Sequence, residues 1–337
     1  MDKNQATGLV LLSLMLLAYL AFFGPEPQDI DPNQGGNPKG DTVLVDGTKK
    51  KNDPIIPEEP ILSDSVAKAR FGFFGNGKSG TAQDIVLENE DVKITLNTKG
   101  GTVKEVMLKK HVTFEKKPLI LIDEASSKIK EEIQTNQAII DLNTLYYKAQ
   151  KTDNSVTFSI SDGSGANFSR TYTLPATGYV LNYKLASKGI EHILQSKPIQ
   201  FNWVDNMKKL EKEITTSRQK STINFYTVNG DGDYVSETAV ERKEEIAEAP
   251  VRWASMKQKF FNAAIITDQS FNNFKAATEV IDQENEQIVK TGEITMEIPL
   301  EAINSDNTNL RYYFGPNDYD ICETVTEGFS DNVYLGW

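Results

Sequence analysis

Cysteine, histidine and basic charge are the scarce ingredients of this chain. Its 337 residues hold one cysteine, Cys322, and two histidines, His111 and His192. One thiol cannot form an intrachain disulfide, so the core alone must hold any folded domain together. A lone thiol facing an oxidising compartment is expected to be half-buried rather than reactive. With one cysteine and two histidines far apart in sequence there is no zinc spacing, and no metal or other cofactor is expected. No serine stands in a nucleophile-elbow context, and no pair among the abundant carboxylates stands out, so no catalytic residue is assigned. Lys and Arg total 36 against 48 Asp and Glu, a net charge of −12. A surface so acidic argues against nucleic acid, whose phosphates need a basic face.

Long apolar runs are equally scarce, with one exception at residues 6–23, ATGLVLLSLMLLAYLAFF. About eighteen residues without a charge cover about 27 Å as a helix, close to the hydrocarbon thickness of a bilayer. The small residues that a signal-peptide cleavage site needs are badly placed, since Ala21 would pair with Tyr19 and Phe23 with Ala21. An uncleaved membrane anchor is expected. Lys3 and the α-amino group precede it, whereas Glu26, Asp29 and Asp31 follow. The positive-inside rule therefore puts residues 1–5 in the cytoplasm and the bulk of the chain on the far side.

Residues 24–82 are rich in Pro, Gly, Asn, Asp and Lys and read as a flexible linker, with a short helix conceivable over 61–74. Residues 72–79, GFFGNGKS, match the phosphate-loop pattern, and residues 119–124, LILIDE, resemble the second ATPase motif. The pattern works only where a buried parallel strand delivers the loop to a helix N-terminus. The flanks, SDSVAKARF before and DIVLENEDVKITLN after, supply neither, so a Gly-rich linker end is the better reading.

From residue 83 the chain turns to short segments of alternating polarity, such as Val92, Ile94 and Leu96 before a turn at Lys99-Gly100-Gly101. Further strands are expected at 103–108, 138–149, 155–160, 167–174, 179–186, 199–204, 222–228, 234–237, 271–280, 287–300 and 310–314. Turn residues separate them, as in SDGSG at 161–165 and NGDGD at 229–233. Helices are expected only at 206–220 and 316–329. The fold class is mostly β, with stacked antiparallel sheets and minor helices, over residues 83–316. Asn229, Asp231 and Asp233 have the spacing of calcium-loop ligands, but Tyr234 stands where Gly is needed and Val240 where Glu is needed, so a hairpin turn is expected. Residues 253–261 read mainly as core. Residues 317–337 end in amphipathic aromatics, and Phe329, Tyr334, Leu335 and Trp337 are expected at the membrane interface, the chain returning there as a C-terminal helix.

Several of these segments resemble the YidC/Oxa family of membrane-protein insertases, in its Bacteroidetes-like branch. The carriers are the start Met1-Asp2-Lys3-Asn4, Ala69-Arg70-Phe71-Gly72, Lys99-Gly100-Gly101, residues 253–261, Tyr312-Tyr313-Phe314-Gly315-Pro316 and Val333-Tyr334-Leu335-Gly336-Trp337. The resemblance spans essentially the whole chain. It implies a periplasmic β-supersandwich, similar in fold to galactose mutarotases, behind a first transmembrane helix in the bacterial inner membrane. It also implies inner-membrane lipids, Sec translocon components (SecD/SecF and SecYEG) and nascent membrane proteins as partners. The helical membrane core that carries the family's insertion groove is expected after Trp337, so this part would be a binding and scaffolding module without turnover. The alternative is an envelope carbohydrate-binding or mutarotase-like sandwich.

Overall fold

The computed structural model describes residues 63–303 and 310–333. All of them belong to the second of two units, Glu59–Trp337; the first is Met1–Glu58. The expected anchor at 6–23 lies outside the described residues. Among the described residues, no helix is long and apolar enough to cross a membrane.

The domain starts earlier than its sequence suggests. Helix α1 (Asp64–Phe71) runs into a 3-10 turn, Gly72–Gly77, which buries Phe74 completely and sets its ring edge-on to Phe168 at 5.4 Å. The expected linker therefore ends before residue 63, not at 82. Its tail holds too few apolar residues to read as core, but buried Phe74 and Ala67, with Phe71 and Phe73 packed beside them, dock it.

A four-stranded antiparallel meander follows: β1 (Asp84–Glu88), β2 (Val92–Asn97), β3 (Thr102–Val112) and β4 (Pro118–Ile122). In β2, alternation buries Val92, Ile94 and Leu96 on one face. The β2–β3 turn needs Gly100 and Gly101, at φ 88° and 56°, a region that side chains disfavour.

The remaining strands form one large antiparallel system. They are β5 (Ser127–Gln134), β6 (Ile139–Asp141), β7 (Lys148–Lys151), β8 (Ser155–Ser161), β9 (Asn167–Thr173), β10 (Val180–Lys188) and β11 (Ile199–Lys208). After helix α2 (Ile214–Gln219) come β12 (Thr222–Thr227), β13 (Gly232–Tyr234), β14 (Lys243–Ile246), β15 (Val251–Lys257), β16 (Phe261–Glu279), β17 (Ile288–Ile298) and β18 (Leu310–Pro316). Strand order is β6-β5-β11-β17-β16-β18-β10-β9-β8-β7, with β15, β12 and β13 branching from one part of β16 and β14 from the other.

The 19-residue β16 joins the two layers. Its first part, Phe261 to Thr267, pairs with β18 and β15; its last, Lys275 to Glu279, pairs with β17 and β14. Between them the register shifts and Asn273 takes φ 48°, the bulge that lets one strand turn from sheet to sheet. The layers then face each other: Trp203 of β11 meets Tyr312 of β18 edge-on at 6.3 Å, and Phe225 of β12 lies 4.8 Å from Phe274 of β16. The mostly β sandwich expected from the alternation is therefore present.

Two helical expectations shrink. Of 206–220 only Ile214–Gln219 is helical, because Asn206 to Lys208 extend β11 and pair with β17. Of 316–329, helix α3 (Tyr319–Glu323) forms under an Asp318 cap, whose carboxylate accepts from the Ile321 amide, and a 3-10 turn covers Phe329–Asn332. Gly328, at φ 67°, ends any helix between them, and a Cβ there would enter the Tyr226 ring.

Strands at the margins are short or charged. β6 and β13 have three residues each, whereas β7 reads KAQK and β14 KEEI with every residue exposed.

Candidate interaction surfaces

The phosphate-loop look-alike is built for packing. Among the described residues no strand precedes it: α1 does, and the glycines let the turn press on its neighbours. A Cβ on Gly75 would come within 2.6 Å of the Ala67 backbone, and one on Gly77 within 2.7 Å of Ile160. Lys78 lies 4.3 Å from the centre of the Phe71 ring. The acidic look-alike at 119–124 is antiparallel strand β4 and its exit turn, where Asp123 pairs with Lys208 at 2.8 Å. Asn229, Asp231 and Asp233 fall in the β12–β13 hairpin, closed by the Thr227 amide on the Asp231 carbonyl.

The Lys99-Gly100-Gly101 turn has a buried counterpart. Arg170 of β9, with no exposed surface, donates to the Gly100 carbonyl and to the Asn143 side chain, each at 2.5 Å, and to the Tyr183 hydroxyl at 3.0 Å. It also pairs with the equally buried Glu131 of β5. A charge so enclosed persists only when paired and fully bonded. The cluster clamps the β2–β3 turn to both layers of the sandwich.

The C-terminal aromatic residues divide. Phe329 was expected at a membrane interface, but it has no exposed surface. Its ring packs edge-on against Trp253 at 5.1 Å and Tyr313 at 5.0 Å, because the strap after β18 folds back over the sheet. Tyr334, Leu335 and Trp337 lie outside the described residues. Cys322, in α3 of the same strap, is buried with its sulfur 3.7 Å from the Pro316 carbonyl, and burial pushes the thiol up to about 11.

The described residues line two open clefts. One, of about 520 Å³, lies between the α1 region and the 135–137 and 189–193 turns, and includes His192, Asp162 and Lys68. The other, of about 570 Å³, gathers His111, Phe114, Leu210, Phe260, Phe261 and Asp318. His111 meets Phe261 edge-on at 5.2 Å, and burial lowers its pKa. The two histidines thus serve separate clefts, and no histidine pair forms. Among the described residues, no group of three or more His, Cys, Asp or Glu could hold a metal ion. The residues 253–261, read mainly as core, also divide: Trp253 is 1% exposed, Phe260 50%.

The class of protein is thus a mostly β, two-layer antiparallel sandwich with helical straps at both ends. Solved structures similar to it include the galactose mutarotase related enzyme from Lactobacillus acidophilus, at TM-score 0.40 and 8% identity, covering 69% of this chain and 97% of that one. A galactose mutarotase-like protein from Lactobacillus casei ATCC 334 aligns at TM-score 0.39 and 9% identity, covering 69% of this chain and 100% of that one.

Residues 84–337 match the family model of the YidC periplasmic domain, and the chain belongs to that family. The Membrane protein insertase YidC of Cytophaga hutchinsonii is 32% identical over 359 residues, covering 100% of this chain and 56% of the relative. That of Amoebophilus asiaticus is 32% identical over 347 residues, with the same coverage. The chain spans about half the length of the curated relatives it matches.

Proposed function

We propose that this chain is the anchor and periplasmic domain of a membrane protein insertase of the bacterial inner membrane. The supporting observation is the match of residues 84–337 to the YidC periplasmic domain, together with relatives named insertases along its whole length. In this reading residues 1–5 are cytoplasmic, 6–23 cross the bilayer, and the stretch before Asp64 is a tether for the sandwich outside. The sandwich is a binding and scaffolding module for Sec translocon components and nascent membrane proteins, and the insertion step itself belongs to other parts of the insertase. Tyr334, Leu335 and Trp337 lead the chain back to the bilayer interface, where amphipathic aromatics are favoured. A carbohydrate-active reading would want a histidine and a carboxylate in hydrogen-bonding reach. Each cleft holds both kinds, but among the described residues no hydrogen bond or ion pair joins His192 to Asp162, or His111 to Glu211 or Asp318.

The test has two arms in the native host. Alkaline phosphatase fused after residue 83 is expected to be active, as it is only outside the cytoplasm. Depleting the insertase that contains this chain is expected to slow insertion of reporter inner-membrane proteins, with rescue by the intact gene. An inactive fusion would reverse the proposed orientation, and unchanged insertion would remove the functional reading.

A further inference from the structure

The segment NGDGD at 229–233 lines neither cleft and forms the β12–β13 turn. Asn229 and Gly230 are exposed, and the Asn229 side chain has no hydrogen-bond partner among the described residues. The Gly230 amide donates to the Thr227 carbonyl at 3.2 Å, the long end of the range for such a bond. Gly230 takes φ 89°, and even a Cβ there would meet nothing nearer than the Tyr226 hydroxyl at 3.7 Å. No side chain therefore shields the backbone nitrogen that follows Asn229.

The chain has a second Asn-Gly step, Asn76-Gly77, in the opposite setting. It ends the 3-10 turn Gly72–Gly77, whose helical backbone directs the Gly77 nitrogen away from the Asn76 side chain. The Asn76 side-chain amide donates to the Phe73 carbonyl at 2.7 Å. Gly77 is buried, and its carbonyl accepts from the Tyr146 amide at 2.7 Å.

The β12–β13 hairpin also stands against the strap. A Cβ on Gly232 would come 3.1 Å from the Asp331 carboxylate, and one on Gly328 would enter the Tyr226 ring, which stacks on Trp253 at 5.8 Å. Burial first, then the carboxylates of Glu327, Asp331 and Asp231, hold the Tyr226 hydroxyl above its ordinary pKa, with Arg252 opposing them. The contact between hairpin and strap is therefore already acidic.

We propose that Asn229 is a site of spontaneous deamidation, and that the carboxylate formed there loosens the hairpin from the strap. The Gly230 backbone nitrogen, giving up its proton, attacks the side-chain carbonyl carbon of Asn229. A C–N bond forms, the Cγ–Nδ2 bond breaks, and the amide nitrogen leaves with that proton as ammonia. Water then opens the cyclic imide at either carbonyl, leaving an aspartyl or an isoaspartyl residue at position 229 with no change of oxidation state. Either product sets a further negative charge beside Asp231 and Asp331, and like charges repel. The isoaspartyl form also lengthens the backbone of the turn by a methylene. Asp231-Gly232 can close the same ring only by expelling water from a carboxyl group, a poorer leaving step, and its isomerisation leaves the mass unchanged. The change at Asn229 needs only water and is not undone by it, so it accumulates with the age of each copy.

The experiment holds the full chain, purified in detergent, at neutral and at mildly alkaline pH, and follows the tryptic peptides 221–242 and 71–78 by fragmentation mass spectrometry. The first is expected to gain the mass of an amide-to-acid exchange at position 229, faster at the higher pH, and to become a substrate for isoaspartyl methyltransferase. In heavy-oxygen water the new acid should carry the label, while 71–78 keeps its amide. In urea both peptides are expected to convert, because the contrast comes from the fold. Asn229→Gln, whose ring would be larger and slower to close, should remove the change. Asn229→Asp installs the carboxylate outright and is expected to speed hydrogen exchange in residues 226–234 and 328–332 relative to Asn229→Gln. An amide at 229 that outlasts the one at 76, or conversion of the two at equal rates in the folded chain, would overturn the assigned site. Exchange that is the same in Asn229→Asp, in aged protein and in Asn229→Gln would overturn the loosening.

Discussion

Arg170 is a charge placed by strand alternation where an apolar residue would be expected. In β9 it falls between Phe168 and Tyr172 on the buried face. Glu131 does the same in β5, between Ile129 and Ile133, and the pair meets across the layers. Breaking a buried pair leaves an uncompensated charge, so Arg170→Met is expected to cost on the order of 3–5 kcal/mol. Adding Glu131→Leu should restore much of that, leaving only the lost bonds to Gly100, Asn143 and Tyr183. Urea midpoints of the three variants provide the check, and a double variant no more stable than the single would refute the argument.

Asp205 of β11 poses a different residue-level problem. It is 3% exposed, and burial pushes its carboxyl up to about 7, against some help from Ser127 and Lys208. The folded state therefore holds this proton more tightly than the unfolded one, whose value is 3.8. Stability from this group is present below the unfolded value and is lost as pH rises towards and through about 7, a loss of about 4 kcal/mol at most. Asp205→Asn should flatten that decline. Denaturation midpoints between pH 4.5 and 8 are expected to separate from wild type progressively with rising pH; parallel curves would show that Asp205 is not the group responsible.

At the scale of elements, what was legible depended on how many apolar side chains kept the alternation going. β8 shows it without a break, β11 shows it at Ile199, Phe201 and Trp203 before Asp205 interrupts, and in β9 Phe168 and Tyr172 carry it past Arg170. β5 does not, because Glu131 interrupts its inner face. β14, fully exposed, has no apolar face to read. The first half of β16 is buried on both sides, so its sequence, FNAAIIT, has no alternation.

The α1 strap was obscured for another reason: a few residues, Phe74 foremost with Ala67, Phe71 and Phe73 beside it, do the docking within a stretch of otherwise linker-like composition. Phe74→Ala is therefore expected to destabilise the domain by about 3–5 kcal/mol, as for other fully buried aromatics. Hydrogen exchange should locate the loosening in residues 64–77 and β9, and protection unchanged there would sink the claim. The turns that line the second cleft were visible only in part. The doubled Phe260-Phe261 is a sequence signal, one ring facing in and one out, but the approach of residues 113–117 to 209–213 is set by tertiary packing between distant strands.

For the whole molecule, composition and family resemblance carried the reading furthest. Scarce cysteine and histidine matched a domain held by its core. The match over residues 84–337 and the whole-chain relatives gave the family that the ordered short motifs resemble. Composition could not reveal how the sandwich closes, since that depends on one bulge in β16.

The margins of the sheets have a further consequence. A domain assembled from strands distant in sequence folds slowly, and its half-made sheets spend time with open edges. Lys148 and Lys151 on β7, and Lys243, Glu244 and Glu245 on β14, put charge along those edges, while β6 and β13 are too short to template a neighbour. Copies of the chain emerging side by side at high local density would repel one another along their unfinished borders, so each sheet is left to complete itself with its own strands.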